Sequence, residues 1–263
     1  DDKIVLEGAL KYLVTNLKSP SRFVQEQSAG SLRNLSVNPA NKTRIVQEGG
    51  LLPLISLLRS SDKNVQEQAA GSIRNLATDD AIKAKLAQEG CILPLVNLLR
   101  VKEVGVMEQA AGALRNLAVS AKIREFIAEE GGITPLVELL KSDNMKVVRH
   151  AAGALANMSM NINNKTRIVQ DGALPRFIAL LRSQDEQVQE LAAVALRNLS
   201  VSADNELKVV QDGGIPRLVE MLSSVEDSTK EQAVQALRNF SSATENAVRI
   251  LRERALPRLA ACL

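Results

Sequence analysis

QEQAAGSIRNLAT, residues 66–78, is a helix-forming stretch with a glycine, Gly71, near its centre. Glycine inside a helix costs roughly 1 kcal/mol relative to alanine. The chain nevertheless repeats the stretch as QEQSAGSLRNLSV from Gln25 and as MEQAAGALRNLAV from Met107, each time with glycine four residues before an asparagine. Because the chain accepts this loss of helix stability at the same position each time, we infer that the position requires a glycine.

The asparagines mark a repeat of 41 residues. They stand at Asn34, Asn75, Asn116, Asn157, Asn198 and Asn239. A glycine precedes each of them by 26 residues, at Gly8, Gly49, Gly90, Gly131, Gly172 and Gly213. Five consecutive intervals of one length, without insertion or deletion, are typical of a solenoid of stacked helices.

Each repeat is predicted to contain three helices. The first covers Asn41–Gly50 and ends at glycines that suit a left-handed cap. The second covers Leu52–Asp62, with Pro53 tolerated in its first turn. The third covers Asn64–Ala77, and its apolar residues recur every three or four positions, which predicts one buried stripe: Val65, Ala69, Ile73 and Leu76. No alternating strand pattern competes, so the sequence predicts an all-α fold.

Composition restricts the possible functions. The 263 residues are 45% hydrophobic, which is ample for a core, and the net charge of +3 is too small to favour nucleic acid or an anionic membrane. Aromatic residues make up only 2%, so stacking surfaces for bases are missing. Cys91 and Cys262 are lone cysteines, and no apolar run approaches 18 residues. We expect a soluble, cytoplasmic and/or nuclear protein without membrane insertion, excised from a longer chain.

The glycine turn with GGLLPLISLL, the EQAAG helix and its closing RNLS resemble the armadillo repeat over essentially the whole chain. This resemblance implies a right-handed α-solenoid superhelix whose third helices line a concave groove. We therefore predict a single armadillo-repeat domain over 1–263 with six third helices, a partial first unit and a partial seventh unit at 249–263, where Arg254 replaces the glycine. Identities this regular are also compatible with an engineered or reconstructed sequence.

One face of the third helix carries an amide, a gap and an amide. At 100° per residue, the positions four and seven residues before each asparagine lie within about 40° of it. In the first three repeats this face comprises Gln27, Gly30 and Asn34; Gln68, Gly71 and Asn75; and Gln109, Gly112 and Asn116. A missing side chain admits another backbone, and amides can donate to it and accept from it. The alternative is structural: glycine allows close helix packing, and asparagine bonds its own helix end.

The resemblance favours the binding interpretation, because the equivalent asparagines of armadillo proteins clasp the main chain of a bound peptide. That role is carried over to Asn34, Asn75, Asn116, Asn157, Asn198 and Asn239. We expect their amides to face solvent when no ligand is bound and to make two contacts each when one is. The face is interrupted at Leu191, Val194 and Gln235, so recognition is expected to fade toward the C-terminus.

Importin-α receptors carry a tryptophan four residues before that asparagine, and this chain does not. Its residues there are Gly30, Gly71, Gly112, Gly153, Val194 and Gln235. Slots for lysine stems are therefore missing, which disfavours a nuclear transport adaptor. The sequence is closer to the β-catenin, vacuolar and plant armadillo types.

A charged column flanks this face. Arginine precedes the asparagine at Arg33, Arg74, Arg115, Arg197 and Arg238, with glutamate seven residues earlier at Glu26, Glu67, Glu108, Glu190 and Glu231. The arginines either form an inter-repeat ladder of ion pairs or grip acidic side chains of a ligand. Repeat four replaces both, with Arg149 and Ala156. His150 occupies the glutamine position there, and a lone histidine makes no metal site.

The sequence contains no phosphate loop, nucleophile elbow or metal-ligand cluster, so we predict a non-enzymatic binding module without cofactor or metal. The predicted partner is a protein with an extended, acidic or neutral linear segment, bound in the groove by residues that include Arg33, Arg74, Arg115 and His150. The alternative is a structural scaffold that joins assemblies through its ends or convex face. We expect a monomer; end-to-end association of several copies is the alternative.

Overall fold

The structure is a computed structural model, and it describes residues 8–200, 203–224, 226–253 and 255–260. Arg254 and Cys262 lie outside the described residues. Within those ranges every regular element is a helix. The chain divides into two compact units, residues 1–135 and 136–263, which are described separately.

Helices follow one another in the order first, second and third helix of each repeat. Their bounds are α1 Ala9–Asn16, α2 Arg22–Leu35, α3 Pro39–Gln47, α4 Leu51–Leu57, α5 Lys63–Leu76, α6 Asp80–Gln88, α7 Ile92–Leu98, α8 Val104–Leu117, α9 Ala121–Glu129, α10 Ile133–Leu139, α11 Met145–Met158, α12 Ile162–Gln170, α13 Ala173–Leu180, α14 Glu186–Leu199, α15 Ala203–Gln211, α16 Gly214–Met221, α17 Asp227–Phe240, α18 Thr244–Arg252 and α19 Ala255–Ala260. The all-helical prediction is confirmed. Third helices α2, α5 and α8 pack in series in the first unit, and α11, α14 and α17 in the second.

The first helices α3, α6, α9, α12 and α15 are each followed by a glycine in the left-handed region, as the spacing predicts. Gly49 has φ 76° and Gly90 has φ 80°, and a side chain there would be strained. The chain therefore turns at once from the first helix into the second.

The second helix is shorter than the sequence predicts. It ends at Leu57 rather than near Asp62, because Asp62 serves the next helix instead. The Asp62 carboxylate accepts hydrogen bonds from the backbone N–H groups of Asn64 and Val65 at 2.9 and 3.2 Å, and so caps α5. The Gln66 side chain then donates to the Ser60 carbonyl at 2.7 Å and ties α5 to the end of α4.

The predicted apolar stripe of the third helix forms the core. Val65, Ala69, Ile73 and Leu76 are all 0% exposed. Cys91 is also buried, at the start of α7, and burial raises the pKa of its thiol to about 12. The core therefore fixes one side of each third helix and leaves the asparagine face on another.

Candidate functional site

The six asparagines of the repeat differ in exposure. Asn34 and Asn239 are exposed. The inner four are half-buried: Asn75, Asn116, Asn157 and Asn198. The expectation that these amides all face solvent without a ligand is therefore wrong for the inner repeats.

The reason is a hydrogen bond to the preceding repeat. Asn75 Nδ2 donates to the backbone carbonyl of Arg33 at 2.9 Å, and Asn116 Nδ2 donates to that of Arg74 at the same distance. In the second unit, Asn198 Nδ2 donates to the carbonyl of Ala156 at 3.3 Å. These bonds link neighbouring third helices. At Asn75 and Asn116 they use one of the two N–H bonds of Nδ2, and Oδ1 and the second N–H are left to meet a ligand.

The glycines make room for side chains from the neighbouring repeat. A Cβ atom on Gly71 would lie 2.7 Å from both Cδ and Nε of Arg33, so the guanidinium of Arg33 crosses directly over Gly71. A Cβ atom on Gly30 would lie 3.5 Å from Oε1 of Gln68. Gly71 and Gly112 are buried and Gly30 is half-buried. In the first unit, therefore, a neighbouring side chain already occupies the predicted gap at Gly71.

The glutamines occupy three different environments. Gln27 is exposed. Gln68 is half-buried, and its Oε1 accepts a hydrogen bond from Nη1 of Arg33 at 3.2 Å. Gln109 is 3% exposed, and its Oε1 accepts no hydrogen bond within the described part of the chain. Of the three glutamines, therefore, Gln27 is open to a ligand, Gln68 is held by an arginine and Gln109 is buried.

The arginine column forms ion pairs between successive repeats. Nη1 of Arg33 lies 3.7 Å from Oε1 of Glu67, and Nη1 of Arg74 lies 4.0 Å from Oε1 of Glu108. Burial lowers the pKa of Arg74, repulsion from Arg33 lowers it further, and Glu108 opposes both effects. The inter-repeat ladder is confirmed at these two steps, and Arg115 is half-buried at the next.

The second unit varies the same arrangement. Arg197 Nη1 donates to Oε1 of Gln232 at 2.9 Å and also to Oε1 of Gln235. Arg149, which replaces the glutamate in repeat four, pairs instead with Asp185. His150 is half-buried beside it.

Phe23 is a residue of the same face that the repeat pattern does not reveal. It lies on α2 eleven residues before Asn34, which is within about 20° of it around the helix. Its side chain is 70% exposed. The spacing could have identified it, but the equivalent positions of the other repeats hold Asn64, Gly105, Lys146, Gln187 and Ser228, so no periodic signal points to an aromatic residue.

Among the described residues, no helix is long and apolar enough to cross a membrane. No group of three or more histidine, cysteine, aspartate or glutamate side chains within those ranges is placed to hold a metal ion.

Three-helix repeats with a glycine turn and an asparagine-bearing third helix define an armadillo-repeat protein, a fold typical of non-enzymatic binding scaffolds. The chain belongs to the family of the plant U-box protein ARM repeat region, whose model matches residues 18–250. The resemblance drawn from the sequence is thus confirmed, including its plant type. No curated protein matches the chain.

Engineered and designed proteins are among the solved structures similar to the chain. An engineered protein is 32% identical with a TM-score of 0.84, over 89% of this chain and 97% of its own. One of the computationally designed armadillo repeat proteins for modular peptide recognition is 26% identical, with a TM-score of 0.81 over 88% and 99%. A designed armadillo repeat protein in complex with the peptide (KR)4 is 26% identical, with a TM-score of 0.79 over 88% and 99%.

Proposed function

We propose that this protein is a non-enzymatic module that binds an extended segment of a protein partner across its third helices. The observation that carries the proposal is made at Asn75 and Asn116, where Nδ2 holds the preceding repeat through one N–H while Oδ1 accepts no hydrogen bond from the described residues. Support comes from the similar designed proteins, one of which is made for peptide recognition and another of which binds (KR)4.

The ligand's main chain is the group that this row recognises. Extended peptides carry unpaired N–H groups, and an asparagine Oδ1 can accept from one of them. At Asn75 and Asn116, Oδ1 accepts from the ligand and only one of the two N–H bonds of Nδ2 is left to donate to it, because the other already donates to a backbone carbonyl. Phe23 offers an exposed ring at the first repeat for an apolar ligand side chain.

An acidic segment is the more specific form of this proposal. The arginines that would grip carboxylates are those at Arg33 and Arg74, which already pair with Glu67 and Glu108. An acidic side chain would therefore have to compete with a glutamate at each step. We propose that recognition of the main chain contributes most of the binding affinity and that contacts with the arginines contribute less.

The test uses three end-capped peptides, (TS)4, (KR)4 and (DE)4, with binding measured by fluorescence anisotropy. Main-chain recognition predicts that all three bind and that an N-methylated (TS)4, which lacks alternate N–H groups, loses affinity. Binding of (KR)4 alone would favour a receptor for basic signals. Failure of all three peptides to bind would contradict the proposal.

A further inference from the structure

Arg33 contacts both amides of the next repeat, Gln68 and Asn75. Its guanidinium Nη1 donates to Oε1 of Gln68 at 3.2 Å, and its backbone carbonyl accepts from Nδ2 of Asn75 at 2.9 Å. One residue of α2 therefore touches both ends of the candidate binding face on α5.

These contacts fix which atom of each amide is which. A guanidinium can only donate, so the Gln68 atom that faces it must be the oxygen; a backbone carbonyl can only accept, so the Asn75 atom that faces it must be the nitrogen. Neither amide can rotate by 180° about its terminal bond without placing donor against donor or acceptor against acceptor. The groups that remain are Nε2 of Gln68, which donates, and Oδ1 of Asn75, which accepts, beside the second N–H of Asn75 Nδ2.

We propose that Arg33 is a positioning residue that sets the polarity of this face, so that Gln68 donates to a carbonyl of a bound peptide while Asn75 accepts from one of its N–H groups. The proposal rests on the proposed function, since it names how the same surface meets its ligand. This role of Arg33 also accounts for Gly71 and Gly30 on the third helices. Gly71 leaves the space that Arg33 crosses, and Gly30 leaves the space against which Gln68 lies.

The glutamine half of this arrangement recurs independently in the second unit. Nη1 of Arg197 donates to Oε1 of Gln232, which stands seven residues before Asn239 as Gln68 stands before Asn75. Repeat three is the contrast: Arg74 pairs with Glu108 as Arg33 pairs with Glu67, but Oε1 of Gln109 accepts no hydrogen bond from the described residues. The orientation of the glutamine amide is thus fixed by an arginine at some repeats and not at others. The positions at which the face offers an N–H donor to a ligand therefore differ from repeat to repeat.

A first experiment tests the polarity without any peptide. Hydrogen exchange of side-chain amides, followed by NMR on the whole chain, should show Asn75 Nδ2 exchanging about two- to tenfold more slowly than that of exposed Asn34. Gln68 Nε2 should exchange about as fast as that of exposed Gln27. Equal protection of Gln68 and Asn75 would overturn the proposal.

A second experiment tests the donor. Gln68→Glu keeps an oxygen toward Arg33 and replaces the outward N–H₂ by an acceptor, so affinity for the neutral peptide (TS)4 should fall about two- to tenfold with no loss of melting temperature. Gln47→Glu is the matched control: it adds the same charge at an exposed glutamine of α3, outside the candidate binding face, and its affinity should stay within about twofold. Unchanged affinity of Gln68→Glu would overturn the proposal.

A third variant tests Arg33 itself. Arg33→Met removes the guanidinium but leaves the backbone carbonyl, so (TS)4 binding should weaken by about two- to tenfold while Asn75 exchange stays slow, and Arg33→Lys should restore part of the binding. A merely structural arginine would instead speed Asn75 exchange when removed. If wild-type protein binds none of (TS)4, (KR)4 and (DE)4, the proposed function fails, and the exchange measurement still decides the polarity.

Discussion

At the scale of single residues, Asn75 and Asn116 hold the preceding repeat, and under the proposed function they also contact the ligand. Asn75→Ala combined with Asn116→Ala removes two hydrogen bonds between third helices, so the free energy of unfolding should fall by about 1–3 kcal/mol. The same change removes two acceptors from the ligand face, so peptide affinity should fall by about one to two decades. Urea denaturation and (TS)4 binding measure the two effects.

The exposed Asn34 provides the control for that double mutant. Asn34→Ala should leave the urea midpoint unchanged. A double mutant that loses stability but binds (TS)4 like wild type would assign the asparagines to the fold alone.

Two glycines of the repeat should respond differently to alanine. At Gly30 the new Cβ would meet Gln68 at 3.5 Å, an ordinary contact, so Gly30→Ala should raise the free energy of unfolding by about 0.5–1 kcal/mol through helix propensity. At Gly71 it would meet the Arg33 side chain at 2.7 Å and displace it. We expect Gly71→Ala to gain less stability and to lose peptide affinity. Thermal unfolding of the pair checks this, and equal gains would be inconsistent with Arg33 crossing Gly71.

The buried thiol of Cys91 should make stability depend on alkaline pH. The pKa is raised from 9.0 to about 12 by burial, so the unfolded chain loses the proton first. This contribution is fully present below pH 9 and is lost as pH rises toward 12, at about 1.4 kcal/mol per pH unit. Cys91→Ala should remove the dependence, as measured by the difference between the two urea-unfolding curves at pH 8 and pH 10. A constant difference would contradict the burial effect.

At the scale of elements, the third helices are not capped equally. Asp62 caps α5 with two hydrogen bonds, whereas Glu103, at the same place before α8, makes no capping bond in the described structure. Glutamate is one methylene longer than the good capping residues. Glu103→Asp should therefore stabilise the protein by about 0.5–1 kcal/mol, and Asp62→Ala should destabilise it by about 1 kcal/mol. Thermal melting of both variants tests this, and loss of stability in Glu103→Asp would refute it.

The ends of the helices were only partly predictable. Glycine at positive φ is a local requirement, so the stop at Gly49 follows from the sequence. The end of α4 does not follow from the sequence, because Asp62 is compatible both with the polar side of a longer second helix and with the cap of the third helix. Its carboxylate decides the matter by bonding Asn64 and Val65, and a hydrophobic periodicity carries no information about such a choice.

At the scale of the whole molecule, the 41-residue period predicted the helical repeat, since it continues over five intervals without an insertion, and the resemblance of the motifs within it indicated the family. The period did not predict the hydrogen bonds that the residues of this face make with the neighbouring repeat. Helical spacing places Gln68 and Asn75 on one side of α5, but the partner of each amide depends on how far α2 is shifted along it. That shift brings the Arg33 carbonyl to Asn75 and the Arg33 guanidinium to Gln68, and no regularity within one helix encodes it.

The balance of charge over the whole chain predicts a weak dependence of peptide binding on salt. The chain has 33 basic and 30 acidic residues, and arginines such as Arg33 are already paired, so recognition of the main chain leaves little net attraction to screen. Screening lengths shorten from about 10 Å at 0.1 M salt to about 3 Å at 1 M. We therefore expect (TS)4 affinity to change by less than about twofold over this range, and the affinities of (KR)4 and (DE)4 to converge on it within about threefold at 1 M. An affinity for (DE)4 that stays more than about tenfold above that of (TS)4 at 1 M salt would show direct, desolvated contacts between arginine and carboxylate, which are less affected by screening, and would make the acidic segment the primary ligand.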